Sequence, residues 1–227
     1  MPMIYFDDVA KVYDHHAVLD GVTLSIEDGE FVSIVGKSGA GKTTLLRLLL
    51  AEERPTSGSV FFESTNVHRI KQAHIPEYRR RLGTVFQDFR LLPNKTAYEN
   101  IAFAMEAAGR ADDEIRSDVP QVLDLVDLAS KALHFPHELS GGEKQRVAIA
   151  RAIISQPDVL IADEPTGNLD PTNTYDIIQI LKKIHDMGTT VILTTHNKGI
   201  IDSLKRRVVT MEDGKIIRDD KQGKYIL

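Results

Sequence analysis

The segment GKSGAGKT, Gly36 to Thr43, constrains this chain more than any other. It follows the apolar run EFVSIVG, which has the composition of a buried strand, and it precedes KTTLLRLLLA, which has the pattern of a helix. The spacing G-x-x-x-x-G-K-[ST] in a strand–loop–helix context is typical of a phosphate-binding loop. Its glycines allow backbone N–H groups to face an anion, and the helix start adds about half a positive charge.

This loop predicts a set of nucleotide contacts. We expect Lys42 to reach the terminal phosphates and the Thr43 hydroxyl to bind Mg²⁺. The only other interpretation of the segment is an ordinary glycine-rich turn, which would not need the full motif. The predicted nucleotide-binding residues here are Gly36, Lys37, Ser38, Gly39, Ala40, Gly41, Lys42, Thr43 and Thr44.

Two acidic residues follow a second apolar run, in VLIADEP. A phosphate loop of this kind needs a carboxylate near its metal, at the end of a neighbouring strand. We expect Asp163 to bind Mg²⁺ through water and Glu164 to polarise the attacking water as a general base. The alternative, two surface acids at a strand end, is disfavoured beside an intact phosphate loop.

The alternation of strand and helix patterns predicts the fold class. Apolar runs such as DVLIADE and TTVILTTH alternate with helical segments, which indicates an α/β fold with a mostly parallel sheet flanked by helices. We expect the first strands to form an N-terminal antiparallel β part. Residues 96–155 show no strand pattern, so we expect a helical subdomain inserted at about that position into a single domain of residues 1–227.

Local signals mark several element ends. Thr96 and Glu99 have capping-box spacing, and Asp170 is placed to cap the helix that begins at Pro171. Pro120 is expected near the start of a second helix within DDEIRSDVPQVLDLVDLASKAL. Asp213–Gly214 predicts the turn of a closing hairpin.

Composition excludes several classes of protein. A net charge of -5 argues against a nucleic-acid partner, and the arginine run at residues 79–81 is expected to be a solvated helix end. The absence of cysteine excludes disulfides. No apolar run approaches the roughly 18 residues of a membrane span, so we expect any membrane role to come through a partner.

A second glycine-rich helix start occurs in HELSGGEKQRVAIARAI. Ser140 and Glu143 have capping-box spacing, which explains those two residues. It does not explain Gly141 and Gly142, because a glycine within a helix costs up to about 1 kcal/mol relative to alanine. No lysine follows in the phosphate-loop position. This helix could therefore cap a phosphate held elsewhere but could not hold a triphosphate by itself.

The segment LSGGEKQRVAIARAI resembles the signature of the ATP-binding cassette (ABC) family, and the resemblance spans essentially the whole chain. The resemblance implies an Mg²⁺-dependent ATPase that works as an ATP-dependent head-to-tail homodimer. In that arrangement Ser140, Gly141 and Gly142 of one chain contact the nucleotide held by the other.

The remaining family elements occur in order. Each has a structural alternative: an edge residue for Tyr13, a polar strand end for Gln87, a helix cap for Asp170 and a structural histidine for His196. The family roles are adenine stacking by Tyr13, Mg²⁺ and water contacts by Gln87, a D-loop crossing the dimer interface that includes Asp170, and a γ-phosphate contact by His196.

Within the family, the segments around VFQDF and GNLDP are most similar to bacterial cell-division ATPases. That resemblance implies an integral membrane partner of the FtsX type, control of cell-wall hydrolases, and a cytoplasmic location on the inner face of the membrane. GNLD also resembles lipoprotein-release and macrolide-efflux ATPases, and a soluble role in DNA repair or on ribosomes is the third alternative. The ending KQGKYIL is expected to leave no room for a regulatory domain.

Overall fold

The computed structural model describes residues 2–221 and 223. The expectation that no regulatory domain follows was based on the segment KQGKYIL. Most of that segment lies outside the described residues. The chain divides into two compact units, one formed by residues 1–79 with 190–227 and the other by residues 80–189.

The first unit contains an antiparallel sheet in the order β2-β1-β4-β5. Side chains of β1 alternate between buried and exposed at its start, as expected for a strand with one face on the core. This sheet is the predicted N-terminal β part. Its strands are β1 (Ile4–Tyr13), β2 (His16–Ile26), β4 (Ser57–Phe62) and β5 (Thr65–Asn66).

The same unit contains a parallel core built on β3 (Phe31–Val35), which is buried at every residue. β3 pairs in parallel with β8 (Thr190–Thr195) and β9 (Arg207–Glu212), and β10 (Lys215–Asp220) adds antiparallel to β9. The turn between β9 and β10 has positive φ at Asp213 and Gly214, so the predicted hairpin is confirmed. The helices are α1 (Lys42–Leu49), α2 (Ile75–Arg80) and α7 (Lys198–Leu204).

The second unit contains a parallel pair, β6 (Leu82–Phe86) and β7 (Val159–Asp163). Residues 87–158 contain helices and no strand, in the region where the helical subdomain was predicted; the status of residues 96–155 as an inserted subdomain stays a prediction. The helices of this unit are α3 (Ala97–Ala107), α4 (Asp112–Leu125), α5 (Gly141–Ile153) and α6 (Pro171–Asp186).

Two helices are capped by the side chains that the sequence predicted. The Thr96 and Glu99 side chains form a reciprocal capping box at α3. Asp170 caps α6 by accepting from two backbone N–H groups, with proline in the first turn. The expectation for Pro120 is wrong, because α4 runs through it without a break. Pro120 and Arg116 are exposed, so the Arg116 carbonyl that loses its helical donor can be hydrated by water.

The arginine run is more than a solvated helix end. Arg79 Nε and Nη2 donate to the carbonyl oxygens of Leu50 and Ala51, at 2.9 and 3.2 Å, which satisfies acceptors at the end of α1. Arg81 Nε donates to Asp158 Oδ2 at 2.5 Å. Two of the three arginines therefore make internal contacts. Over residues 2–221 and 223, every helix falls short of the length and apolar character that a bilayer crossing requires.

Candidate nucleotide site

The phosphate loop of the first unit joins β3 to α1. Gly41 precedes the helix with φ of 98°, a left-handed conformation, and an added Cβ would lie 2.7 Å from Leu19 Cδ2 and 2.8 Å from the Val18 carbonyl oxygen. Only glycine fits there. The α1 start has no side-chain cap, so the donors of its first turn are not satisfied by a capping side chain.

Lys42 lies within this loop with 7% of its surface exposed. Its Nζ donates to the carbonyl oxygens of Gly36 at 2.8 Å and Lys37 at 3.1 Å. The loop therefore holds the ammonium among its own acceptors. Thr43 and the tip of the loop, residues 37–39, are exposed, which leaves hydroxyl and backbone groups accessible to a ligand.

His196 follows β8, the strand that pairs with β3. The register sets Val35 opposite Thr195, so the chain leaves both strands at the same sheet edge. His196 is exposed. The structure thus brings together, within the first unit, the start of the phosphate loop at Gly36 and His196, the predicted γ-phosphate contact.

Tyr13 ends β1 at a tight turn to β2 and is half-buried. The Lys11 ammonium lies 4.6 Å from the centre of the Tyr13 ring and donates to Glu53 Oε2 at 2.9 Å. The hydrogen bond from Lys11 lowers the pKa of the Glu53 carboxyl. Lys11 and Glu53 were not predicted from the sequence, because no motif spacing connects residues so far apart along the chain.

Two further candidates share an edge in the second unit. Phe86 of β6 lies opposite Asp163 of β7, so Gln87 and Glu164 follow at the same ends of two parallel strands. Glu164 has φ of 49°, a left-handed conformation that is uncommon for a side chain of this size. Such strain persists where surrounding structure holds it and is often found at functional sites.

The segment after Gln87 is held from α5. Arg151 donates to the carbonyl oxygens of Arg90 at 2.8 Å and Phe89 at 3.1 Å, and both of these residues have positive φ. Gln87 Nε2 itself donates to Asn168 Oδ1 at 3.1 Å. Arg151 lies in the signature segment and Asn168 in the GNLD segment, but the sequence reasoning missed both contacts, since no motif spacing connects either residue to residues 87–90.

The signature loop, residues 140–143, forms the predicted capping box. Ser140 Oγ accepts from Glu143 N at 3.2 Å, and Glu143 Oε2 accepts from Ser140 N at 2.8 Å. This backbone hydrogen bond lowers the pKa of Glu143. Ser140 and Gly141 are exposed, whereas Gly142 is buried against Asn173 of α6.

The oxygen donors at these positions suit a magnesium ion. In the first unit Thr43 offers a hydroxyl, and in the second unit Gln87 offers an exposed amide and Asp163 a half-buried carboxylate. Each is an oxygen donor of the hard kind that Mg²⁺ prefers. The donor chemistry therefore fits the predicted ion. Among residues 2–221 and 223, no cluster of three or more His, Asp or Glu side chains could hold a metal without other ligands.

Comparison with protein families identifies the same family as the sequence motifs. The family model described as ABC transporter matches residues 19–167, more than half of the chain. The chain belongs to the ABC ATPase family. Its α/β fold, with the P-loop between β3 and α1, is the fold of that family.

Relatives and a solved structure cover nearly all of the chain. "Cell division ATP-binding protein FtsE" is 48% identical in Bacillus subtilis and 50% identical in Mycobacterium tuberculosis, each over 98% of both chains. The solved structure "Dimeric structure of a post-hydrolysis state of the ATP-binding cassette MJ0796 bound to ADP and Pi" is 34% identical, with a TM-score of 0.88 over 98% of this chain and 100% of that one. The predicted family and fold class are confirmed.

Proposed function

We propose that this chain is the ATP-hydrolysing subunit of a cell-division ABC complex. In that complex it pairs with an integral membrane protein of the FtsX type on the inner face of the cell membrane. The observation that carries the proposal is identity of 48–50% with proteins named FtsE along 98% of both chains. The exposed face of the phosphate loop and the strained Glu164 support the hydrolytic part.

The residues of each unit have distinct tasks in this proposal. Tyr13 stacks on adenine, and Lys42 exchanges its loop carbonyls for phosphate oxygens. Thr43, Gln87 and Asp163 would hold Mg²⁺, which would neutralise charge developing on the transferred phosphate. Glu164 orients water and accepts its proton, a role that contributes about 10²–10⁴ in rate.

We further propose that the second glycine helix serves another copy of the chain. Ser140, Gly141 and Gly142 would approach the γ-phosphate held by a partner, where His196 of the nucleotide-holding chain also lies. Asp170 would belong to the crossing D-loop. The related MJ0796 cassette is described as dimeric in its post-hydrolysis state, which supports this arrangement. Because neither loop is complete alone, hydrolysis would require two chains.

The membrane partner would dock near residues 87–92, where Arg151 anchors the backbone. Closure of two chains around ATP would then move residues 96–155 and pull on that partner. ATP shifts the population toward the closed state only by binding that state more tightly than the open one.

Affinity purification of the tagged chain from its native membranes tests this assignment. We expect an FtsX-type membrane protein to be recovered, and we expect cells that lack that protein to yield the chain alone. Recovery with the membrane protein of a lipoprotein-release or macrolide-efflux system would move the chain to that function. Recovery with ribosomes or nucleic acid would overturn the membrane assignment altogether.

A further inference from the structure

The side chain of Asn173 occupies the space next to the buried signature glycine. A Cβ added at Gly142 would lie 1.8 Å from Asn173 Oδ1 and 2.4 Å from its Cγ. No side chain can be placed there without moving α6 or turning Asn173 away. Part of the need for glycine at this position therefore arises within the chain itself, before any nucleotide is considered.

The other end of the Asn173 amide is tied to the D-loop, residues 167–170. Its Nδ2 donates to Asp170 Oδ2 at 2.5 Å, while Asp170 Oδ1 accepts from the backbone N–H groups of Thr172 and Asn173, both at 3.0 Å. These hydrogen bonds, led by that from the Asn173 backbone, lower the pKa of Asp170. A carboxylate at Oδ2 fixes the amide with its nitrogen toward Asp170 and its oxygen toward Gly142.

Further contacts run along the same two segments. A Cβ at Gly141 would meet Leu169 Cδ2 of the D-loop at 3.4 Å, an ordinary packing distance. One turn further along α5, Arg146 Nη1 lies 3.7 Å from Asp176 Oδ2 of α6. The signature loop and the D-loop thus lie close together, and Asn173 contacts both of them.

We propose that Asn173 is a positioning residue for ATP hydrolysis. It joins the D-loop carboxylate to the signature glycine, so the two loops present one rigid surface to the nucleotide of the partner chain. This inference rests on the proposed function, in which the signature loop completes a site on another chain. Asn173 lies outside the residues predicted to bind nucleotide within one chain, so ATP binding by a single chain should not depend on it.

Hydrogen exchange of the full-length protein tests the contact itself. Asn173→Asp keeps the size of the side chain, replaces its donor with a second carboxylate beside Asp170, and should separate the two loops. We expect amide exchange in residues 140–143 to rise by about tenfold, since loss of a charge-assisted hydrogen bond lowers the local opening free energy. Thr172→Ala, at an exposed neighbouring position, is the matched control and should leave exchange unchanged.

Steady-state kinetics of ATP hydrolysis test whether this contact positions the catalytic surface. Asn173→Asp should lower kcat by roughly tenfold to a hundredfold, as expected for a misplaced catalytic surface, while the affinity of the chain for a fluorescent ATP analogue stays the same. Unchanged exchange in residues 140–143 would overturn the structural link. Faster exchange with unchanged kcat would overturn the positioning role, and so would a loss confined to ATP affinity.

A double-mutant cycle distinguishes this proposal from the one on which it rests. In the wild-type background, Gly142→Ala should greatly increase amide exchange in residues 140–143. Once Asn173→Gly has removed the clashing amide, the same substitution should increase that exchange only a little further. Additive effects on exchange in residues 140–143 would contradict the contact. These exchange measurements need no second chain, so they test Asn173 even if the chains never pair. Failure of the shared site would instead appear as absence of turnover when two inactive variants, one altered in each loop, are mixed.

Discussion

The chain contains two glycine-rich helix starts that differ in how their backbone donors are satisfied. At α1, Gly41 adopts a left-handed conformation, no side chain caps the helix, and Lys42 adds a positive charge. At α5, Ser140 and Glu143 accept from each other's backbone N–H groups. The first start leaves donors for an anion, whereas the second uses side chains of the chain itself.

This difference assigns different tasks to two similar sequence patterns. A loop with uncapped donors and a lysine can hold a polyphosphate without help. A loop with a closed capping box has fewer donors to offer and, at α5, no lysine in the phosphate-loop position, so it can only add contacts to a phosphate held elsewhere. Glycine has a different reason in each place: a left-handed turn at Gly41 and the approach of Asn173 at Gly142.

Mixing two inactive variants is the most direct way to break this comparison. Lys42→Ala removes the cation of the first loop, and Ser140→Arg blocks the second, so each homodimer should lose essentially all ATP turnover. A mixture should recover turnover, because each heterodimer regains one working site. Phosphate release is the measurement, and size-exclusion chromatography confirms that the chains pair. A mixture as inactive as its components, with pairing shown, would mean that the loops do not share a site.

Glu164→Gln separates binding at the first loop from chemistry in the second unit. We expect turnover to fall by about 10²–10⁴, the contribution of a general base, while ATP binding is retained and a dimer accumulates. Light scattering with and without ATP measures the dimer. Asp186→Asn, which removes an acid at the far end of α6, is the control for loss of charge. Turnover near the wild-type rate would exclude Glu164 as the base.

Much of this comparison could be predicted from the sequence because its signals are local. The phosphate-loop spacing, the capping boxes at Thr96 and Ser140, and the cap at Asp170 each depend on residues within one helical turn. Short-range geometry of this kind is set by backbone donors and the side chains next to them. The strands followed from uninterrupted apolar runs, as in β3 and β7, whose residues are almost entirely buried.

The rest depends on contacts between distant segments. Nothing in the spacing indicates that Asn173 meets Gly142, that Arg151 holds the backbone after Gln87, or that Lys11 lies over Tyr13. The sequence also favours a helix break at Pro120, yet exposure of the freed carbonyl lets α4 continue. Long-range packing decides these features, and local propensity does not encode it.

Tyr13→Ala sharpens the assignment of adenine binding to the first unit. Stacking of a base on an aromatic ring contributes about 1–3 kcal/mol, so the apparent KM for ATP should rise by about tenfold, with a smaller change in kcat. Tyr13→Phe retains the ring and should behave like the wild type. Steady-state kinetics measure both constants. An unchanged KM in the alanine variant would leave Tyr13 as an edge residue beside Lys11.

The smallest expected effect concerns the pH dependence of the capping box at α5. The hydrogen bond from the Ser140 backbone lowers the pKa of Glu143 from its ordinary value of 4.5. A depressed folded pKa gives stability that is present above the unfolded pKa and is lost as the pH falls through the folded one. Glu143→Gln keeps a capping side chain without the charge, so this part of the pH dependence should disappear.

Urea unfolding at a series of pH values measures this effect. The midpoint of the wild type should exceed that of Glu143→Gln near neutral pH, and the gap should shrink as the pH falls below 4.5. Glu106→Gln, at an exposed position on α3, is the control, because it shows how loss of an ordinary surface carboxylate changes the urea midpoint. A gap that stays constant with pH, or one that Glu106→Gln reproduces, would contradict the charged capping box. The α5 start would then resemble the uncapped start of α1 more closely than the hydrogen bonds of Ser140 and Glu143 indicate.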